Sequence, residues 1–130
     1  MDFYATDTHA LFWYLTASPK LGVNAKTAFD EGAKGNAVIY IPTIVLAELF
    51  FLNEKLNQPL DFNREFERFE QSAQFEFVGF APENVKDFSQ DSAVPEMHDR
   101  MIVGVARRLG VPCLTCDKEI VASRLVKVVW

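Results

Sequence analysis

Along this chain, short apolar runs alternate with longer segments whose apolar side chains recur every three or four residues. DFYAT (2–6) reads as a strand, followed by a helix from about Thr8 to Thr16. Residues 22–34 carry helical spacing, and NAVIYI (36–41) reads as a second strand. Pro42 suits the first turn of a helix, where a missing N–H costs nothing, and that helix runs to about Leu56. FNREFERFEQSA puts Phe62, Phe66 and Phe69 on one helical face, and FEFVGF (75–80) is the third strand. A short helix begins near Pro82, and a longer one over 97–109 turns Met101, Ile102, Val105 and Leu109 inward. VPCLTC (111–116) and LVKVV (125–129) supply the fourth and fifth strands.

Strand and helix alternate nearly throughout, which predicts a parallel sheet with helices on both faces. Ligands of such sheets bind outside the carboxyl ends of the strands, near a topological switch point. No repeat, linker or low-complexity tract interrupts the pattern, so residues 1–130 are expected to form one domain. A chain of this length buries roughly two thirds of its unfolded surface.

Composition narrows the class only a little. With 49% hydrophobic and 24% charged residues the chain resembles an ordinary globular protein. A net charge of −5 lacks the basic footprint of a general nucleic-acid binder, although a bound metal would reverse the local charge. The opening MDFYATDTHALFWYL has no basic region and does not read as a signal peptide. The longest nearly apolar run, 37–52, is broken by Pro42 and Glu48 and falls short of the roughly 20 residues of a membrane span. A cytoplasmic protein without membrane contact is expected, its two cysteines reduced. CLTC has the spacing of a zinc or redox pair. On a strand, however, Cys113 and Cys116 face opposite sides, and no second pair of ligands exists.

Candidate chemistry lies in the acids. Asp7 ends the first strand, Asp117 follows the fourth, Asp99 opens the helix after the third, and Glu48 sits inside the helix after the second. Each aspartate precedes a helix and so doubles as a candidate N-cap, typically worth about 1 kcal/mol. Glu48 cannot cap. It lies more than a turn into its helix, between Ile44 and Val45 on one side and Phe51 and Leu52 on the other. A carboxylate among such neighbours either snorkels, stays neutral, or reaches the rim where the aspartates gather. Four carboxylates meeting there repel one another unless a hard divalent cation such as Mg²⁺ or Mn²⁺ lies between them.

DTHALFWYL, IPTIVLAEL and PEMHDRMIVGVARRLGVPCLTCD resemble, in order and spacing, the motifs of PIN-domain proteins, above all the VapC-type ribonuclease toxins of toxin–antitoxin pairs. The resemblance spans essentially the whole chain. It implies a three-layer α/β/α sandwich with a five-stranded parallel sheet ordered 3-2-1-4-5. It also implies a site in which Asp7, Glu48, Asp99 and Asp117 bind one or two Mg²⁺ or Mn²⁺ ions. Thr115 matches the frequent Ser or Thr just before the last acid and would orient a carboxylate or a water; Glu96 would be a supporting acid. The implied activity is metal-dependent endoribonuclease cleavage, leaving a 5′-phosphate and a 3′-hydroxyl, with paired ions about 3.5–4 Å apart. The implied partners are an RNA substrate, an antitoxin and a second copy of the chain.

Arg100 and Lys118 are candidates for phosphate contact, whereas Arg107 and Arg108 read as a solvated helix end that suits the dipole. His9 and His98 adjoin the acids and could assist proton transfer, though a packing or surface role explains each more simply. The phenylalanine stripe reads as core, with LFFLNEKL and REFERFE able to form a partner groove. Two other functions remain in view: a PIN-fold binding or scaffold module with a metal site but little turnover, and a receiver-type phosphoacceptor. The latter needs an acidic pair after the first strand and a lysine after the last. ATDTHA has one acid there, and Lys127 lies within its strand.

Overall fold

The computed structural model describes residues 1–130. Five strands, β1 (Asp2–Thr6), β2 (Ala37–Pro42), β3 (Phe75–Val78), β4 (Cys113–Leu114) and β5 (Val128–Val129), form one sheet. Its order is β3-β2-β1-β4-β5, with every pairing parallel. The α/β/α sandwich and the strand order implied by the sequence are therefore the observed ones. Seven helices join the strands: α1 (Thr8–Leu15), α2 (Val23–Ala33), α3 (Thr43–Lys55), α4 (Phe62–Gln71), α5 (Pro82–Lys86), α6 (Met97–Leu109) and α7 (Lys118–Ser123).

Parallel neighbours need long crossovers, and helices on the faces bury the sheet. In β2, Ala37, Ile39 and Ile41 are fully enclosed while Val38 and Tyr40 are only half-buried. Leu11 of α1, Phe29 of α2, Leu49 of α3 and Ile102 of α6 close over that sheet in one core. Tyr14 and Phe29 stack at 4.3 Å, and Phe69 meets Phe75 edge-on at 5.0 Å. Thus Phe69 is core as expected, while Phe62 and Phe66 lie half-buried beside it. None of the helices is long and apolar enough to cross a membrane.

Several boundaries and orientations differ from the sequence reading. Pro42 is the last residue of β2 and the N-cap of α3, with extended angles of φ −60° and ψ 142°. A proline lacks only a donor there, so it ends a strand as readily as it starts a helix. Strands four and five shrink to two residues each. After Leu114 the chain spends its polar groups on Thr115 and Asp117 instead of a ladder. Leu109, expected to face inward, is 39% exposed at the tip of α6, where the left-handed Gly110 (φ +69°) ends the helix. The paired thiols separate as predicted, Cys113 buried and Cys116 exposed.

Candidate metal centre

Strand order places the site. The switch point lies between β1 and β4, where Thr6 pairs with Leu114. Each chain continues beyond the sheet as Asp7 and Thr115, and the Asp7 N–H donates to the Leu114 carbonyl at 3.2 Å. α3 and α6 follow β2 and β3 and start from the same rim. Asp7, Glu48, Glu96, Asp99 and Asp117 all line one cavity of about 520 Å³.

Asp7 is nearly enclosed, 9% exposed. It caps α1 by accepting from Ala10 N at 2.8 Å, and its other oxygen accepts from Thr115 Oγ1 at 2.5 Å. Thr115 Oγ1 in turn accepts from Asp117 N at 3.0 Å. Asp117 caps α7, one oxygen taking Glu119 N at 3.0 Å and Ile120 N at 3.1 Å. One hydroxyl therefore ties the two aspartates of adjacent strands together. Cap and cation-site readings of Asp7 and Asp117 are compatible, because each keeps lone pairs that the caps do not use.

Glu48 is held from two sides. Thr8 Oγ1 donates to its Oε1 at 2.8 Å, and His98 Nδ1 stands 3.3 Å from its Oε2. Its helical neighbours Val45 and Leu49 enter the core, while the carboxylate, 31% exposed, reaches the cavity. Thr8 was not singled out in the sequence; its only signal is its place directly after Asp7 at the start of a helix.

Asp99 does not cap its helix. Glu96 is the N-cap of α6, its Oε2 accepting from Asp99 N at 2.7 Å. Asp99 sits three positions inside, because a carboxylate three residues earlier already satisfies its N–H. Its own carboxylate accepts no hydrogen bond. Burial, followed by the nearby charges of Asp117, Glu96, Glu48 and Asp7, pushes its pKa up to about 6. Burial likewise raises Asp7, against the hydrogen bonds from Thr115 and Ala10. Burial pushes Glu96 up too, but the N–H groups of Asp99 and His98 and the His98 ring leave it below the usual range.

The phosphate-contact candidates do not join this group. Arg100 turns away, donating from Nε to the Val94 carbonyl at 2.7 Å and from its fork to the Phe88 carbonyl at 3.3 Å. Lys118 is exposed beside Asp117 but does not line the cavity. Arg107 and Arg108 are more than a solvated helix end, although Arg108 remains exposed. They pair with Asp91 and Asp87, at 2.6 and 2.8 Å, partners 16 and 21 residues away that no local pattern reveals.

Five carboxylates without a lysine or arginine among the lining residues make a donor set suited to a hard cation. As the side chains stand, no three of them surround a single point closely enough to complete a shell. A cation held by one or two of these carboxylates would keep several waters. Asp99 and the free oxygen of Asp117 are the unengaged donors. The set fits a cation taken up with much of its water.

A pH signature follows. A carboxyl whose folded pKa exceeds its unfolded value binds more protons when folded, so stability falls as pH rises between the two values. For Asp99 the window runs from its ordinary 3.8 to about 6. With chelator present, the melting temperature should therefore fall as pH is raised from 4.5 to 7. Asp99→Asn should flatten the slope in a thermal scan; a slope unchanged in the variant would refute the raised pKa of Asp99.

A PIN-domain family model matches residues 4–124. The chain belongs to the PIN domain family. With that membership comes a family of nucleases. Among solved structures, the fold is similar to that in VapBC2 from Rickettsia felis bound to a DNA fragment from their promoter. That match has a TM-score of 0.73 at 16% identity and covers 97% of this chain and 96% of the other. DNA-bound VapBC from Salmonella typhimurium gives 0.70 at 19% identity, covering 98% and 97%. FitAcB from Neisseria gonorrhoeae gives 0.66 at 19% identity, covering 96% and 95%. Among curated protein sequences, none matches the chain.

Proposed function

We propose that this PIN domain is a Mg²⁺- or Mn²⁺-dependent endoribonuclease acting in the cytoplasm, the toxin of a toxin–antitoxin pair. The observation that carries the reading is the gathering of Asp7, Glu48, Asp99 and Asp117 on one cavity with no lysine or arginine in its lining. One or two ions held there by these four acids would supply an activated water and offset the charge that develops on the phosphate. The protein's own groups do the positioning. Thr115 fixes Asp7 and the backbone of Asp117 in one hydrogen-bonded unit. Thr8 and His98 hold Glu48 with its carboxylate toward the cavity. Such restraint keeps the reacting geometry from being lost to side-chain rotation. Glu96 sets the start of α6 and thereby the place of Asp99.

An antitoxin partner is supported by the company the fold keeps. The similar structures are VapBC and FitAcB complexes, and VapC-type proteins, which the sequence resembles, act paired with antitoxins. Phe51 is 71% exposed and Phe50 39%, with Phe50 edge-on to Phe62 at 5.2 Å. This aromatic surface would be covered by the antitoxin or by a second copy in a homodimer.

One observation favours the alternative of a binding module without turnover: no three acids stand at coordinating distance of one point. Incubation of single-stranded RNA with the purified protein separates the readings. Cleavage that needs Mn²⁺ or Mg²⁺, stops with chelator and leaves 5′-phosphate ends supports the nuclease. Intact RNA at every metal concentration, with Mn²⁺ still bound, supports the module.

A further inference from the structure

The cavity that holds the acids has no lysine or arginine in its lining. An ion among the acids would neutralise the phosphate it meets, but the flanking nucleotides still need a protein surface to hold them. His9 and Trp13 provide one. They lie one turn apart on α1, the helix capped by Asp7, and both line the acidic cavity. At a rise of about 1.5 Å per residue, their Cα atoms lie about 3 and 9 Å along the helix axis from that of Asp7.

The two rings touch without stacking face to face. Their centroids are 5.4 Å apart with planes tilted by 52°, unlike Tyr14 and Phe29, which stack nearly parallel at 7° inside the core. His9 is exposed and the indole half-buried. Trp130 meets the indole edge-on at 5.8 Å, and the Lys20 ammonium stands over it at 5.9 Å. Neither of these lines the cavity. They pack on the indole from outside the cavity, and the half-buried indole itself remains part of the cavity lining. At about 520 Å³, the space falls within the roughly 300–1,000 Å³ range of small-ligand sites. Stacking on aromatic rings is the common way to bind single strands without reading sequence, worth about 5- to 150-fold in affinity per base.

We propose that His9 and Trp13 form a base-stacking subsite that holds an unpaired nucleobase beside the phosphate at the acidic cluster, so that the cleft takes single-stranded RNA. The proposal rests on the nuclease reading for its substrate class, and the two are tested by separate readouts. Binding of a labelled, cleavage-resistant phosphorothioate RNA strand is measured by anisotropy in Mn²⁺, against a strand of equal length and charge that lacks bases. The wild type should bind the base-bearing strand at least about 5-fold more tightly. His9→Ala and Trp13→Leu, each checked for folding by circular dichroism, should lose most of that preference while binding the baseless strand as before. His9 is exposed, so its variant keeps the test sound if Trp13→Leu unfolds. Equal binding of both strands by the wild type, or a preference unchanged in the His9 variant and in any folded Trp13 variant, overturns the subsite. Cleavage of ordinary RNA, run in parallel, reports on the nuclease alone. Cutting without base preference sinks the subsite, and base preference without cutting sinks the nuclease.

Discussion

Glu48→Gln should reduce metal-dependent RNA cleavage by more than about 100-fold, beyond the 10- to 100-fold typical of residues that merely support a metal ligand. The substitution is nearly isosteric. Its amide oxygen can still accept from Thr8 Oγ1, as Glu48 does at 2.8 Å, so α1 and α3 stay connected. What disappears is one negative charge from a cavity lined by five carboxylates. Loss of activity with retained stability would mark Glu48 as part of the chemistry. Equal cleavage by wild type and variant under matched purification would remove it from the site.

The largest effect on folding is expected far from the acids. Asp91 is fully enclosed, and its carboxylate receives Arg107 at 2.6 and 3.4 Å. Removing the arginine leaves that carboxylate buried without a counter-charge, which typically costs about 3–5 kcal/mol. Against a total of about 5–15 kcal/mol for a domain, Arg107→Met should bring the urea midpoint close to unfolding conditions. Asp91→Asn in the same chain should restore part of the loss, because a neutral amide is far cheaper to bury. Should Arg107→Met unfold at the wild-type midpoint, the pair is not holding the segment. That segment matters to function, since residues 87–96 lead directly to the Glu96 cap and Asp99. Arg100 adds its own ties there through the Val94 and Phe88 carbonyls.

Such long-range pairs mark where sequence reading stops. Alternating strands and helices and the gathering of acids at one rim were legible from local pattern plus parallel topology, whereas the strand order came only with the resemblance to the family motifs. Glu48 stood out because an apolar helical face gives a carboxylate no reason to be there. That Glu96 and not Asp99 caps α6 was not legible: both are acids near a helix start, and only the backbone decides which one caps. Arg107 and Arg108 read as solvated because Asp91 and Asp87 lie 16 and 21 residues away, in and just after a single short helical turn without periodicity. Thr8 and Trp13 had no legible role for a similar reason, and His9 was legible only as a neighbour of Asp7. A hydroxyl that meets a glutamate 40 residues away, or a ring that faces a cavity, has no signature in its neighbours.

The melting temperature against Mn²⁺ concentration at pH 7, for wild type and Glu48→Gln, tests the acidic metal centre most directly. Binding to the folded state alone raises stability with ligand concentration. Wild type should gain with Mn²⁺. The variant should melt at least as high without metal, with one repelling charge gone, yet respond much less. If Mn²⁺ moves neither protein and the variant simply melts lower, Glu48 is a structural residue and the acids do not form a metal centre.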